Sequence, residues 1–165
     1  MWGPILTAGG VALFLGVFGG LMTPLGRWYD DLRKPSWQPP DWLFGPAWTV
    51  ILGLAAWSAV LAWNAADGSG ERTLVVLLFA FNALCHALWS PLFFRLRRPD
   101  WALIEVAFLW ASLVALVVGL WPISRTASLL ILPYLAWVSF AAWLNRAIVR
   151  LNGPFGQSAR GNATA

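Results

Sequence analysis

Long apolar runs separated by short polar connections dominate the chain. Five runs reach the roughly 20 residues that a helix needs to cross the hydrocarbon core of a bilayer, and they cover residues 4–25, 42–65, 73–94, 101–120 and 126–145. Glu105 is the only Asp, Glu, Lys or Arg within them. Strands of a membrane barrel would alternate apolar and polar residues, whereas these runs are continuous. The pattern predicts an all-α integral membrane protein built as a bundle of five transmembrane helices.

Composition agrees with a lipid-embedded chain, since 59% of the residues are hydrophobic and 11% are charged, with a mean hydropathy of +0.67. We expect one transmembrane domain over residues 1–151 and a flexible tail over residues 152–165, which is rich in Gly, Ser, Asn and Ala. The first run lacks a preceding basic residue and a cleavage pattern, so it is interpreted as helix one. The single cysteine, Cys85, excludes an internal disulfide and a cysteine metal cluster.

Basic residues are distributed unequally between the two sides that five crossings define. All but Arg72 and Arg125 of the eleven lysines and arginines lie in the first loop, in the third loop or after the last run. The positive-inside bias therefore predicts a cytoplasmic first loop and C-terminus, with the N-terminus outside. This asymmetry and the anionic lipid headgroups account for the formal net charge of +4 without a nucleic-acid partner.

The connection between the first two runs, residues 27–48, combines charges, prolines and aromatic side chains. Pro35, Pro39 and Pro40 restrict the backbone, so this segment is predicted to be a semi-rigid strap. Its aromatic side chains would then have defined directions. We expect residues 27–41 to cover a pocket between the helices.

Three of the predicted helices carry stripes of polar and aromatic residues at spacings of three and four. An unpaired polar group in hydrocarbon costs roughly 2–7 kcal/mol, so these stripes should face protein. Trp48 and Thr49 near the start of the second run can join them. The stripes are Asn82, His86, Trp89 and Phe93; Trp101, Glu105, Phe108 and Ser112; and Tyr134, Trp137, Ala141 and Asn145.

Structural roles compete with ligand binding at these positions. Hydrogen bonding between helices is the favoured interpretation of Asn82, Asn145 and Thr49, and pairing with Arg97 or Arg98 is favoured for Glu105. His86 is either a hydrogen-bonded structural residue, which is commoner for a lone intramembrane histidine, or an axial haem ligand. Many tryptophans are expected at the membrane interface or on lipid-facing surfaces: Trp2, Trp42, Trp63, Trp101 and Trp121 in the first group, and Trp57, Trp110 and Trp143 in the second.

Several motifs resemble those of the translocator proteins, also called tryptophan-rich sensory proteins or peripheral-type benzodiazepine receptors. The resemblance runs from helix one to about residue 152. Its most specific segments are Trp28-Tyr29-x-x-Leu32-x-Lys34-Pro35-Ser36-Trp37-x-Pro39-Pro40, Phe44-Gly45-Pro46-x-Trp48-Thr49, Trp89-Ser90-Pro91-Leu92-Phe93-Phe94, Trp101-Ala102-Leu103 and Pro133-Tyr134-Leu135-x-Trp137 followed by Leu144-Asn145.

This resemblance implies a dimeric five-helix bundle, of the kind found in bacterial envelopes or the mitochondrial outer membrane, with the bacterial envelope favoured here. It implies porphyrin or haem as ligand, with sterols or synthetic benzodiazepine-like compounds as further ligands and no required cofactor. The basic residues Arg27, Arg33 and Lys34 would meet porphyrin propionates. The predicted binding residues include Tyr29 from the strap and His86 from a stripe. The others are carried over by motif: Trp37, Trp48, Trp89, Trp101, Trp137, Phe140 and Ala141.

The chain also departs from the family pattern. His86 stands where the family usually has asparagine, and Asn82 stands where it usually has glutamine, which would alter the floor of the pocket. The segment from Leu144 to Arg150 lacks the tyrosine of the proposed sterol motif in animal members, which makes cholesterol a less favoured ligand.

Three classes of function follow. The first, which we favour, is a porphyrin-binding sensor or transporter. The second is an enzyme that degrades porphyrin with light and oxygen, for which Trp48 and Trp137 are the candidate catalytic residues. The third is a structural membrane partner in which the loop tryptophans would be replaceable. The first two require the same indoles, so the sequence leaves both open.

Small residues at a spacing of four predict close helix contacts in a homodimer. One such pair is Gly16 and Gly20 in the first run, and the other is Ala83 and Ala87 in the third.

Overall fold

Five apolar helical spans form the protein in the computed structural model, which describes residues 2–156. No β-strand occurs within this range, and the predicted five-helix membrane fold is confirmed. A 3₁₀ turn, Asp41–Leu43, leads into α3, and a π-helical turn, Pro91–Arg95, extends α4. The helices are α1 (Gly3–Leu21), α2 (Arg27–Asp31), α3 (Phe44–Ala65), α4 (Ser69–Ser90), α5 (Pro99–Leu120), α6 (Arg125–Leu130) and α7 (Leu132–Asn152).

Helix α1 is shorter than the apolar run that predicts it. It ends at Leu21 rather than at residue 25. Pro24 disfavours helical geometry in the residue before it, and the hydroxyl of Thr23 donates to the carbonyl of Gly19 at 2.7 Å, which satisfies one of the last carbonyl groups. The residues after Leu21 therefore belong to the connection that leads into the strap.

The last span is longer than its apolar run and is divided. Pro133 removes a backbone donor and clashes with the preceding turn, and the helix is interrupted between α6 and α7 at Ile131. Beyond the predicted end at residue 145, α7 continues to Asn152. Its last turns remain helical because they are amphipathic, with Ile148 buried and Arg146 exposed.

Helix α5 occupies the centre of the bundle and packs against both α4 and α7. Leu113, Leu116 and Leu120 on α5 are fully buried. Helix α1 lies at the periphery, where Leu15 is its one buried side chain, and it packs mainly on α3. Most of the α1 surface therefore faces lipid or the interior space described below.

Polar side chains bond between helices where the stripes predict. The Asn82 amide on α4 donates to the Ser112 hydroxyl on α5 at 2.9 Å. On α7, the buried Asn145 amide, oriented to satisfy both neighbours, donates to the Pro99 carbonyl and accepts from the Leu103 N–H, each at 3.1 Å. The predicted structural role of both asparagines is confirmed.

The predicted ion pair of Glu105 is wrong. Arg98 pairs with Asp100 at the start of α5, where its Nε donates at 2.8 Å, and the guanidinium of Arg97 lies over the Trp28 ring. Glu105 is 8% exposed and neither carboxylate oxygen has a hydrogen-bond partner among the described residues. Glu105 lies seven residues beyond Arg98, about 10 Å deeper along the helix. The carboxylate of Asp100 is nearer and binds the Arg98 guanidinium instead.

The predicted tail begins within the described range. The side chain of Asn152 accepts from the N–H of Arg33 and donates to its carbonyl, both at 2.8 Å. Phe155 packs against the apolar cluster that contains Tyr29 and Phe93. Residues 157–165 of the predicted tail lie outside the described range.

Candidate functional site

A cavity of about 800 Å³ lies inside the bundle beneath the strap. Its volume is within the range of small-molecule sites, roughly 300–1,000 Å³. Helices α1, α3, α4 and α7 form its walls, with Val106 and Leu109 contributed by α5 and Tyr29, Gln38 and Asp41 by the loop. The predicted pocket beneath residues 27–41 therefore corresponds to a real space in the fold.

One wall of this cavity is aromatic and comes from α3, α4 and α7. The Trp48 ring lies 4.8 Å from the His86 ring and 6.3 Å from the Trp137 ring, centre to centre, both in edge-on arrangements. Trp89 stacks on Phe93 at 5.1 Å. The indole N–H groups of Trp89 and Trp137 are buried and have no acceptor among the described residues. Both N–H groups are covered by neighbouring atoms, so this wall presents mainly apolar ring surface to the cavity.

The wall contributed by α1 is a face of glycine and alanine flanked by Leu13, Leu15 and Val17. The small residues that line the cavity are spaced along one face of the helix, and neighbours leave open space around most of them. Gly16 and Gly20, predicted from their spacing to form a dimer contact, belong to this wall, which the sequence did not predict. The available signal was the spacing of small residues along α1: Gly9, Ala12, Gly16, Gly19 and Gly20.

The strap closes the cavity through a small hydrogen-bonded cluster. The buried Tyr29 donates from its hydroxyl to the Asp41 carboxylate at 2.9 Å and accepts from the Gln38 amide at 3.1 Å. Burial raises the pKa of Tyr29 above its usual range, and the bond to Asp41 raises it further. Tyr29 therefore stays protonated and keeps donating at neutral pH.

Replacing Tyr29 with phenylalanine should loosen the strap, because it removes a hydrogen bond to a carboxylate. Such bonds contribute about 1.5–3 kcal/mol. We expect amide hydrogen exchange across residues 38–43 to accelerate roughly tenfold, measured by mass spectrometry in detergent. The exposed Asp31, changed to asparagine, is the matched control and should leave exchange in these residues unchanged. Equal acceleration in both variants would contradict a specific role of the tyrosine hydroxyl.

The basic residues of the strap lie around the mouth rather than inside the cavity. Lys34 Nζ lies 3.8 Å from the centre of the Tyr29 ring, which itself lines the cavity. Arg33 is exposed and is anchored through its backbone to Asn152. Arg27 is exposed at the start of α2. These charges are available to a ligand that extends from the mouth.

Most of the predicted binding residues line the cavity, but three do not. Tyr29, Trp48, His86, Trp89, Trp137 and Ala141 are part of the lining. Trp37 is 41% exposed and packs on Phe140 and Trp143 outside it. Phe140 contributes instead to a shallower groove of about 560 Å³ between α3 and α7 on the outer surface. Trp101 is 47% exposed and lies beneath the guanidinium of Arg98, as expected of an interface anchor.

The α5 stripe is split between two faces, contrary to the prediction. Glu105 and Ser112 are buried, whereas Trp101 and Phe108 are exposed. Trp101 lies nearly above Phe108, and Glu105 nearly above Ser112, because residues seven apart share almost the same angle. The two pairs are separated by about 40–60° around the helix axis. The edge of the buried face passes between them.

Thr49 lines the cavity but does not bond between helices as predicted. Its hydroxyl donates to the carbonyl of Gly45 at 3.0 Å within α3. Of the tryptophans assigned to lipid-facing or packing positions, Trp57, Trp110 and Trp143 are all exposed on the bundle surface. Their placement outside the cavity is confirmed.

The fold and the site together define a class, a multi-pass helical membrane protein with an aromatic and glycine-lined internal cavity. Comparison with known proteins then specifies the family. The sequence profile of the TspO/MBR family matches residues 8–151, and the chain belongs to that family.

Relatives occur in bacteria and animals. The chain is 37% identical to the tryptophan-rich protein TspO of Chlorobaculum tepidum, over 87% of this chain and 92% of that protein. It is 35% identical to the translocator protein of Homo sapiens, over 76% of this chain and 75% of that protein. It is 34% identical to the tryptophan-rich sensory protein of Cereibacter sphaeroides, over 81% and 82% of the two chains.

Proposed function

We propose that this protein binds planar tetrapyrroles, porphyrin or haem, in the internal cavity and acts as a membrane sensor or transporter. The observation that carries this proposal is that the cavity has small residues on one wall and aromatic rings on another. A helix face of glycine and alanine leaves room for a flat ligand, while Trp48, Trp89 and Trp137 offer rings for contact. The names sensory protein and translocator protein among the relatives agree with such a role.

The basic mouth of the cavity supports the same ligand class. Lys34 beside Tyr29 adds positive charge where the carboxylates of a porphyrin would emerge.

Removing two strap charges, Arg33→Ala with Lys34→Ala, should weaken porphyrin binding about fivefold at low salt. This corresponds to about 1 kcal/mol, below the roughly 1.5–3 kcal/mol of charge-assisted hydrogen bonds, because solvent and salt screen exposed charges. The loss should disappear near 1 M salt, measured by tryptophan quenching. Arg72→Ala, at the opposite end of the bundle, is the control. A salt-independent loss would contradict the propionate contact.

A titration in mild detergent tests the main proposal. The purified protein is titrated with free-base protoporphyrin in the dark, with a sterol and a benzodiazepine-like compound as competitors. Saturable quenching with one site per chain is expected. Quenching that rises without saturation, as in protein-free micelles, would overturn the binding proposal.

Degradation of porphyrin is the second candidate function, since Trp48 and Trp137 lie in contact at the same wall. Light-dependent loss of the porphyrin absorption band, measured at saturating porphyrin, separates the two functions. An enzyme would lose rate in Trp48→Phe or Trp137→Phe while binding is largely retained. Equal rates in the variants, the wild type and empty micelles would leave binding alone.

We further propose a bacterial envelope location with the N-terminus outside, and a homodimer. Gly16 and Gly20 line the cavity, so Ala83 and Ala87 on α4 are the remaining predicted contact. Light scattering in several mild detergents should give twice the chain mass. A monomer in all of them would contradict the dimer.

A further inference from the structure

His86 is the only histidine of the chain, and it forms part of the cavity wall. Its Nδ1 lies 2.7 Å from the hydroxyl of Tyr134. Its Nε2 has no hydrogen bond to any described residue. The imidazole therefore has one nitrogen engaged by the protein and one free for another partner.

Two helices other than its own fix the position of this ring. Tyr134 on α7 is 2% exposed, so the partner of Nδ1 is itself immobilised by packing. Trp48 on α3 contacts the imidazole edge-on at 4.8 Å. Histidines that bind metals commonly use one ring nitrogen for the metal and hydrogen-bond through the other, which sets the tautomer and the ring orientation.

Few other groups in the described lining of the cavity could bind iron. Tyr29 and Asp41 are bonded to each other at the mouth. Cys85 is buried and lies outside the lining, as does Glu105. An iron atom at the centre of a macrocycle in this cavity would therefore meet His86 as the nitrogen donor of the wall.

We propose that His86 is an axial ligand for iron porphyrins and makes this cavity select them over metal-free porphyrins. This inference rests on the proposed tetrapyrrole-binding function and specifies its ligand. The Nε2 lone pair forms a coordinate bond to iron, and any weakly held ligand on that face of the iron is displaced. The proton stays on Nδ1, which donates to the Tyr134 hydroxyl oxygen, and no electron is transferred.

Labelling can test this bond without changing the protein. Histidine labelled with ¹⁵N marks one residue of the chain, provided that the purification tag contains no histidine. The wild-type protein is loaded with ferric protoporphyrin, and the ¹⁵N coupling to the iron spin is measured by pulsed electron paramagnetic resonance. A directly bound nitrogen coupling is expected, and its absence from a fully loaded sample would overturn the proposal.

Substitution gives an independent measurement. His86→Ala should shift the Soret band of bound ferric protoporphyrin and lower the affinity for it at least tenfold more than the affinity for free-base protoporphyrin. Added imidazole should restore the Soret band of the variant. Tyr134→Phe should retain ligation but shift the ferric–ferrous potential, because the Nδ1 partner is lost.

The outcomes separate this inference from the function on which it rests. Saturable binding of free-base porphyrin with identical iron spectra in wild type and His86→Ala would overturn ligation and leave the proposed function intact. If neither free-base nor ferric protoporphyrin binds the wild type saturably, the proposed function fails and this inference fails with it.

Discussion

Replacing Trp137 with alanine should weaken porphyrin binding by about 2 kcal/mol, or roughly thirtyfold. Stacking of a heterocycle on an aromatic side chain contributes about 1–3 kcal/mol, and a factor of ten corresponds to 1.4 kcal/mol. Trp137 lines the cavity and holds Phe44 and Trp48 in edge-on contact at 5.7 and 6.3 Å. Its removal therefore takes away contact area and loosens two neighbouring rings. Quenching of the remaining tryptophans by protoporphyrin measures the loss.

Trp57 provides the matched control for this experiment. It is 53% exposed on α3 and lies outside the cavity, so Trp57→Ala should bind porphyrin within twofold of wild type. Trp37→Ala should fall between the two, since Trp37 lies outside the cavity but contacts Phe140, which packs on Trp137 at 5.7 Å. Equal weakening in all three variants would show that the porphyrin partitions into the micelle instead of entering the cavity.

Filling the glycine wall should have a still larger effect. Gly16→Phe places a ring in the space that a planar ligand would occupy, and we expect binding to fall more than a hundredfold. A Cβ at Gly16 would meet only Leu52 Cδ1, at 3.8 Å, which is an ordinary contact. Gly16→Ala should therefore fold normally and bind within a few-fold of wild type.

Gly10→Phe is the control for the bulk of the phenylalanine. Gly10 lies on the same helix but outside the cavity lining, with open space around it. Isothermal titration with protoporphyrin should give wild-type affinity for this variant. If Gly10→Phe and Gly16→Phe lose binding equally, the defect lies in folding or insertion and not in the shape of the cavity.

Hydrophobic length and polar periodicity were sufficient to predict the five spans and two of the three interior stripes. Asn82 and Asn145 lie where an unpaired amide in lipid would be costly, and both are bonded between helices. Helix ends were harder to predict because local chemistry decides them. Pro24 ends α1 early, and alternating burial carries α7 beyond its apolar run.

The predictions of an interior α5 stripe and of an ion pair at Glu105 were wrong for a common reason. Spacing along one helix gives the angle between residues but not the position of the neighbouring helices, which decides where the buried face ends. Trp101 and Phe108 fall on the exposed side of that edge, and Glu105 falls on the buried side. Arg98 had a second carboxylate, Asp100, in closer reach.

The glycine wall was missed because small residues every four positions have two meanings in a membrane helix. They allow another helix to approach closely, or they leave space for a ligand. Sequence gives the spacing alone, and the choice depends on what the tertiary fold places beside α1. In this fold the neighbouring elements leave a cavity there.

The glycine wall also affects the entropy of binding. A side chain that becomes fixed against a ligand loses rotamer freedom, at a cost of about 0.5–1.5 kcal/mol for each flexible group. Gly9, Gly16, Gly19 and Gly20 have no rotamers to lose. At these four positions the width of the cavity is set by main chain, which is held in a continuous helix. Docking against these glycines therefore leaves the ordering cost to the flanking Leu13, Leu15 and Val17 and to the aromatic side chains of α3, α4 and α7.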